Sequence, residues 1–348
     1  MADPAFQRSI LKGLLSLPRS VLRLISGGGV VYQGGRTLDP RLQFLAHQGR
    51  SAPSLARLTP QVARTAAAEA LRAVDGVTER GVSVEAVAIE TPGGTIDARA
   101  YRPVDQHPGA PVMVYAHMGG GVIGDLETCH VFCSILARIA RCAVLSIDYR
   151  LAPEHRFPAG LEDVIAAYRW ARANAGRFGA PEGKAAIGGD SMGGAFAAVL
   201  CQEMKRLGEP QPALQFLIYP AVDVASETQS MTTYADAYPL SREVMEWFVG
   251  HYMGPGDDPA DPRLSPIKAT DLTGLAPAVI ATAGFDPLVD QGEAYARRLK
   301  GAGTPVVYRC YDALAHAFTA FTGQVPCADT ACREIAGLVR EALEGRLT

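Results

Sequence analysis

The sequence predicts an α/β fold: a mostly parallel eight-stranded sheet with helices packed on both faces. Three observations lead there. Apolar, β-like runs alternate with helix-like stretches from the third run onward. The chain has 348 residues, 48% of them hydrophobic and 20% charged, enough apolar mass for a large core. Near its middle, a β-like run, a glycine-flanked turn and a helix-like run follow one another without a gap, from Ala185 to Leu200.

Taken in order, residues 10–17 and 21–25 read as short amphipathic helices carrying Lys12, Arg19 and Arg23. Strand-like runs follow at 84–90, 96–101, 112–116, 143–148, 185–188, 214–219, 278–283 and 306–311. From the third of these on, the gaps are helix-like, as parallel neighbours require. Between 220 and 275 the alternation breaks. Residues 226–233 are polar, 234–253 are aromatic-rich and read as helix, and 254–266 are rich in Pro, Gly and Asp. A helix is expected over 291–300.

The turn at Gly189-Asp190-Ser191-Met192-Gly193 carries the chemistry. A serine on so tight a bend points its hydroxyl above the sheet, and its neighbours must be small because a Cβ would clash. The helix N-terminus beneath it favours developing negative charge. G-x-S-x-G alone also describes an ordinary loop serine. Between a strand and a helix it reads as a nucleophile for ester-type acyl transfer. An acid and a histidine must then follow in that order. His316 lies just past the run 306–311 and suits the base. His251 also follows the serine, but in an aromatic-rich helix end that reads as structural; His47, His117, His130 and His155 precede it. For the acid, Asp286 and Asp290 compete after the run 278–283. Asp286 is nearer the strand end, where functional groups of open α/β sheets gather; Asp290 reads as the cap of the next helix.

Acyl transfer also needs N–H donors for the oxyanion. Met192 follows the nucleophile and supplies one. His117-Met118-Gly119-Gly120-Gly121, directly after the run 112–116, is the loop expected to supply the rest. Such a glycine run in isolation reads equally as a flexible turn.

Four blocks between 112 and 318 resemble the hormone-sensitive-lipase family of α/β-hydrolase esterases, the bacterial family IV. His117 to Asp125 is similar to its H-G-G-G-aromatic loop. Asp148-Tyr149-Arg150-Leu151-Ala152-Pro153-Glu154-His155 with Phe157-Pro158-Ala159 is the most specific block. Gly189 to Gly194 is close to G-D-S-A-G-G; Asp286-Pro287-Leu288 and His316-Ala317-Phe318 are similar to D-P-L and H-G-F. The resemblance implies Ser191, Asp286 and His316 as a triad on an α/β-hydrolase fold with a helical cap. The cap would comprise residues 1–50 and an insertion at 221–272, and the hydrolase core 51–220 and 273–348. Ungapped alignment makes Gly119 and Gly120 the loop donors beside Met192; a shifted register would choose Gly120 and Gly121. Met118 stands where the family has glycine and Gly121 where it has an aromatic. That pair is expected to reshape one side of the substrate pocket, with Met118 filling part of the missing volume. Ala317 replaces a glycine, which matters if its backbone needs positive φ.

The formal net charge of −3 and the lack of a basic stripe argue against nucleic acid as partner. Seven cysteines show no metal-ligand spacing and suit a reducing compartment, hence the cytoplasm. No apolar run is long enough to span a bilayer. The apolar stretch at 10–17 is broken by Lys12 and ended by Pro18, so it reads as an amphipathic helix and not a signal peptide. The function expected is a carboxylesterase cleaving short- to medium-chain acyl esters through an acyl-enzyme. It needs no cofactor and no metal; its partners are an ester and, in a homodimer, a second copy of itself. Two other classes share these features. One is a membrane-associated lipase using the amphipathic N-terminus. The other is a small-molecule receptor on the same fold; such receptors in this family lack the histidine that His316 provides.

Overall fold

A computed structural model describes residues 4–346 of the chain. Its N-terminal part holds α1 (Pro4–Leu15), α2 (Arg19–Ile25), a hairpin of β1 (Tyr32–Gln33) and β2 (Arg36–Thr37), α3 (Pro40–Gly49) and α4 (Pro60–Val74). Helix α3 starts where Asp39 accepts from the Arg41 N–H with Pro40 in the first turn, and Thr59 and Pro60 open α4 in the same way.

The central sheet follows: β3 (Val82–Thr91), β4 (Gly94–Pro103), β5 (Val112–Ala116), β6 (Val144–Ile147), β7 (Ala185–Asp190), β8 (Gln215–Ile218), β9 (Ala278–Phe285) and β10 (Val306–Ala315). All eight sequence-derived runs are strands of this sheet, in the order β10-β9-β8-β7-β5-β6-β4-β3. Pairing is parallel from β6 through β10 and antiparallel where β4 joins β3 and β6. Strands β5, β7, β8 and β9 are buried along their whole length, which explains their largely apolar sequences, broken only by Asp190, Gln215 and Thr282.

Alternate residues feed two cores. Met113 and Tyr115 face one, with α5 (His130–Ala140) and α11 (Pro326–Leu343). Val112 and Val114 face the other, with α6 (Ala159–Ala173), α7 (Met192–Arg206) and α10 (Val289–Gly301). Nucleophile and histidine candidates therefore emerge from strand ends clamped on both sides.

Two local expectations change. The stretch 234–253 is helical only as α9 (Arg242–Tyr252). Pro239 disfavours helix before it, and Ser241 accepts from the Val244 N–H to start a new one. Upstream, α8 (Gln229–Thr233) ends at Tyr234. Helix α10 begins at Val289, and Asp290 does not cap it. The Asp290 carboxylate instead accepts from the Ser230 N–H at 2.7 Å, closing the first turn of α8. Among the described residues, no helix is long and apolar enough to cross a membrane, and no cluster of three His, Cys, Asp or Glu is placed to hold a metal.

Candidate active site

Ser191 sits between β7 and α7 with φ 55° and ψ −114°, a left-handed conformation strained for any side chain. Packing enforces it. A Cβ on Gly193 would stand 1.9 Å from the Ala116 carbonyl oxygen, so the elbow presses on β5 too tightly for any other residue. The Ser191 N–H donates to the Ile218 carbonyl at 2.9 Å. Its hydroxyl makes no capping bond and is left free for a partner.

That partner is His316. Strand β10 ends at Ala315, and Ala317 turns the chain at φ 61° before a short 3-10 helix, Phe318–Phe321. This is the positive φ that glycine would meet at no cost, and alanine bears it here. His316 Nε2 lies 3.0 Å from Ser191 Oγ, and Nδ1 lies 2.7 Å from Asp286 Oδ2. A carboxylate can only accept, so Nδ1–H donates to Asp286 and Nε2 accepts from the Ser191 hydroxyl. Asp286 follows β9, is fully buried, and its Oδ1 accepts from the Leu288 N–H at 2.8 Å. The carboxylate is thus fixed at both oxygens. Asp290 lies outside this line. His251 stacks edge-on against Trp247 at 4.6 Å, and His117 lies buried, stacked on Tyr149 at 4.3 Å.

A cavity of about 860 Å³ opens above Ser191 and His316. Its floor includes Met118, Gly119 and Gly120; its walls come from the end of α3, from the alanine-rich face of α4 and from Tyr238, Leu240, Val244 and Phe248. Helices α1 and α2 do not line it, whereas α4, grouped with the core in the sequence reading, does. Among the described residues, the N–H groups of Gly119, Gly120 and Met192 have no hydrogen-bond acceptor within the protein. Met192 is half-buried against the second core and starts α7.

The structure corrects the reading of Gly121. Gly121 does not line the cavity. Its φ is 71°, and a Cβ there would lie 2.6 Å from the Tyr252 ring. The space beside Gly121 is taken by the Tyr252 ring from α9. Similarly, Phe248 presses on Gly120, where a Cβ would come within 2.3 Å of its ring.

A buried carboxylate next to the nucleophile escaped the sequence reading. Asp190 is fully buried and accepts from Tyr219 Oη at 2.9 Å, Thr319 Oγ1 at 3.0 Å and Cys129 Sγ at 3.4 Å. Burial raises its pKa above the ordinary aspartate value, against the pull of these donors. The Tyr219 ring in turn packs 4.6 Å from the His316 ring. The only sequence signal was the aspartate's place before the serine; its partners come from three other elements.

A sheet with a strained serine at the turn after a central strand, and an Asp–His pair just past the ends of the parallel strands β9 and β10, defines a hydrolase of the α/β class. The family profile described as alpha/beta hydrolase fold matches residues 113–320, and the chain belongs to that family. Among curated relatives it is 43% identical to the carboxylic ester hydrolase LipN of Mycobacterium tuberculosis, over 88% of this chain and 84% of that one. It is 36% identical to an ethyl acetate hydrolase of Pseudomonas putida, over 65% of this chain and 72% of that one. Among solved structures, an α/β hydrolase from the metagenome of Lake Arreo superimposes with a TM-score of 0.82 at 42% identity, covering 86% of this chain and 95% of that one.

Proposed function

We propose that this carboxylesterase works through Ser191, His316 and Asp286 as an acyl-transfer triad. The observation that carries the reading is their single hydrogen-bonded line, 3.0 and 2.7 Å, at the floor of the cavity. Ser191 Oγ attacks the ester carbonyl carbon while His316 Nε2 takes the hydroxyl proton. The carbonyl oxygen becomes an oxyanion, received by the N–H groups of Gly119, Gly120 and Met192. Asp286 stabilises the imidazolium. His316 then protonates the leaving alkoxide, and the C–O bond to the alcohol breaks. Water, losing its proton to His316, attacks the acyl-serine and releases the acid; Ser191 regains its proton.

The walls of the cavity support short- to medium-chain acyl esters as substrates. Helices α3, α4 and α9 enclose it as a cap, so the room for an acyl chain is bounded. Seven unpaired thiols support a cytoplasmic setting. A series of p-nitrophenyl esters from acetyl to palmitoyl tests the substrate class. kcat/KM should peak at or below octanoyl and fall steeply for palmitoyl. A maximum on palmitoyl or on emulsified triglyceride would favour a lipase instead.

A further inference from the structure

Helix α4 grips the glycine loop through one side chain. The Arg64 Nε–H donates to the Val122 carbonyl at 2.9 Å, and Nη2 donates to the Ala152 carbonyl at 2.9 Å. Nη1 and Nη2 form a bidentate pair with Glu154 at 3.0 and 2.6 Å. The two loops so joined also hold each other, because the Ala152 N–H donates to the Gly121 carbonyl at 2.8 Å. Inside the glycine loop, the N–H groups of Val122 and Ile123 both donate to the Gly119 carbonyl at 3.0 Å. Arg64 therefore anchors the peptide whose N–H fixes Gly119.

Stability alone does not account for this arrangement. The side chains of Arg64 and Glu154 are 28% and 42% exposed, and ion pairs so exposed add little. Arg64 nevertheless pulls the Glu154 carboxyl down to about 2, and Gln61, also on α4, donates to the same carboxylate at 2.9 Å. Glu154 thus acts as a fixed post that orients the guanidinium plane toward two backbone carbonyls. A lysine ammonium, a point charge on a flexible stem, cannot serve that fork.

We propose that Arg64 is a positioning residue: from helix α4 it holds the Gly119–Val122 loop in the geometry that presents the Gly119 and Gly120 N–H groups to the oxyanion. The inference rests on the donor roles assigned above. Closure of α4 over the cavity and readiness of the donors are then one structural event. Loosening the loop weakens the transition state more than the bound ester, since the donors meet full negative charge only there.

The test uses Arg64→Met and Arg64→Lys in the full chain, with steady-state kinetics, thermal melting, inhibition by an aryl trifluoromethyl ketone and labelling by a fluorophosphonate. In Arg64→Met, kcat should fall on the order of tenfold to a hundredfold with KM changed less than about threefold, a fraction of the loss from deleting a donor. Ketone affinity should weaken by the same factor as kcat/KM, and Arg64→Lys should fall between Arg64→Met and wild type. An unchanged kcat with a raised KM would overturn the proposal, because Arg64 would then merely line the cavity. So would unchanged ketone affinity. If Arg64→Met does not fold, Arg64→Lys decides: wild-type kcat in a natively melting Arg64→Lys protein refutes the proposal. Failure of the fluorophosphonate to label Ser191 in the wild type would instead sink the underlying site reading.

Discussion

Replacing Gly121 by alanine tests how closely Tyr252 packs against that position. The new Cβ would lie 2.6 Å from Tyr252 Cδ2 and 2.8 Å from Cε2, on a backbone at φ 71°. Left-handed φ costs an L-residue roughly 1–2 kcal/mol. Tyr252 is 5% exposed and packs against Phe157 and Phe196 at 6.0 and 6.3 Å, so it gives way only by disturbing both. Overpacking of that kind adds roughly 1–3 kcal/mol. Alanine returns about 0.4–1 kcal/mol by restricting the unfolded chain. The net loss is about 1–5 kcal/mol. Unfolding entropy of about 2.1 cal/mol/K per residue makes each kcal/mol worth about 1.4 °C in a chain of 348 residues. Calorimetry should therefore show a Tm lower by about 1–7 °C. In a double-mutant cycle with Tyr252→Ala, the overpacking part should vanish and the φ part remain, a coupling of roughly 1–3 kcal/mol. Additive losses, or an unchanged Tm in Gly121→Ala, would refute the packing argument.

Asp286→Asn should lower kcat on the order of 10⁴-fold, because His316 loses the acceptor that fixes its tautomer. Asp290→Asn should leave kcat within about threefold and cost about 1 kcal/mol of stability, since it only loosens the start of α8; the opposite ranking would exchange their roles. Asp75, pushed up to about 6 chiefly by burial, supplies a pH test. A carboxyl with a folded-state pKa above its unfolded value adds stability below about pH 4 and loses it as pH rises through 6. Asp75→Asn should thus melt higher than wild type at pH 8, and the gap should close by about pH 4. A gap that widens on acidification contradicts the sign.

Legibility in the sequence followed the range of the interactions. Strands β5, β7, β8 and β9 are readable because a parallel strand buried on both faces is apolar at nearly every position. Ser191 was readable because the elbow's glycines sit within two residues of it. Asp286 and His316 needed only the order rule and the strand ends before them. Nearness to the strand end favours Asp286 over Asp290, and Asp290 is engaged elsewhere, accepting from the Ser230 N–H. The rest depended on contacts between distant segments. Nothing local to Gly121 announces Tyr252, and nothing in α4 marks Arg64 as a clamp on Val122 and Ala152. Pro239 and Ser241 did carry the signal that splits the aromatic stretch, but aromatic composition outweighed it.

Intact-protein and peptide mass spectrometry after treatment with a fluorophosphonate, alongside p-nitrophenyl butyrate turnover, measures most directly whether Ser191 is the nucleophile that His316 activates. One phosphonyl group per chain is expected, on Ser191, with activity lost in proportion to labelling. Ser191→Ala should neither label nor turn over while keeping its native melting temperature within a few degrees. A label on another serine, or a Ser191→Ala protein that still cleaves the ester at wild-type rate, would contradict that role for Ser191.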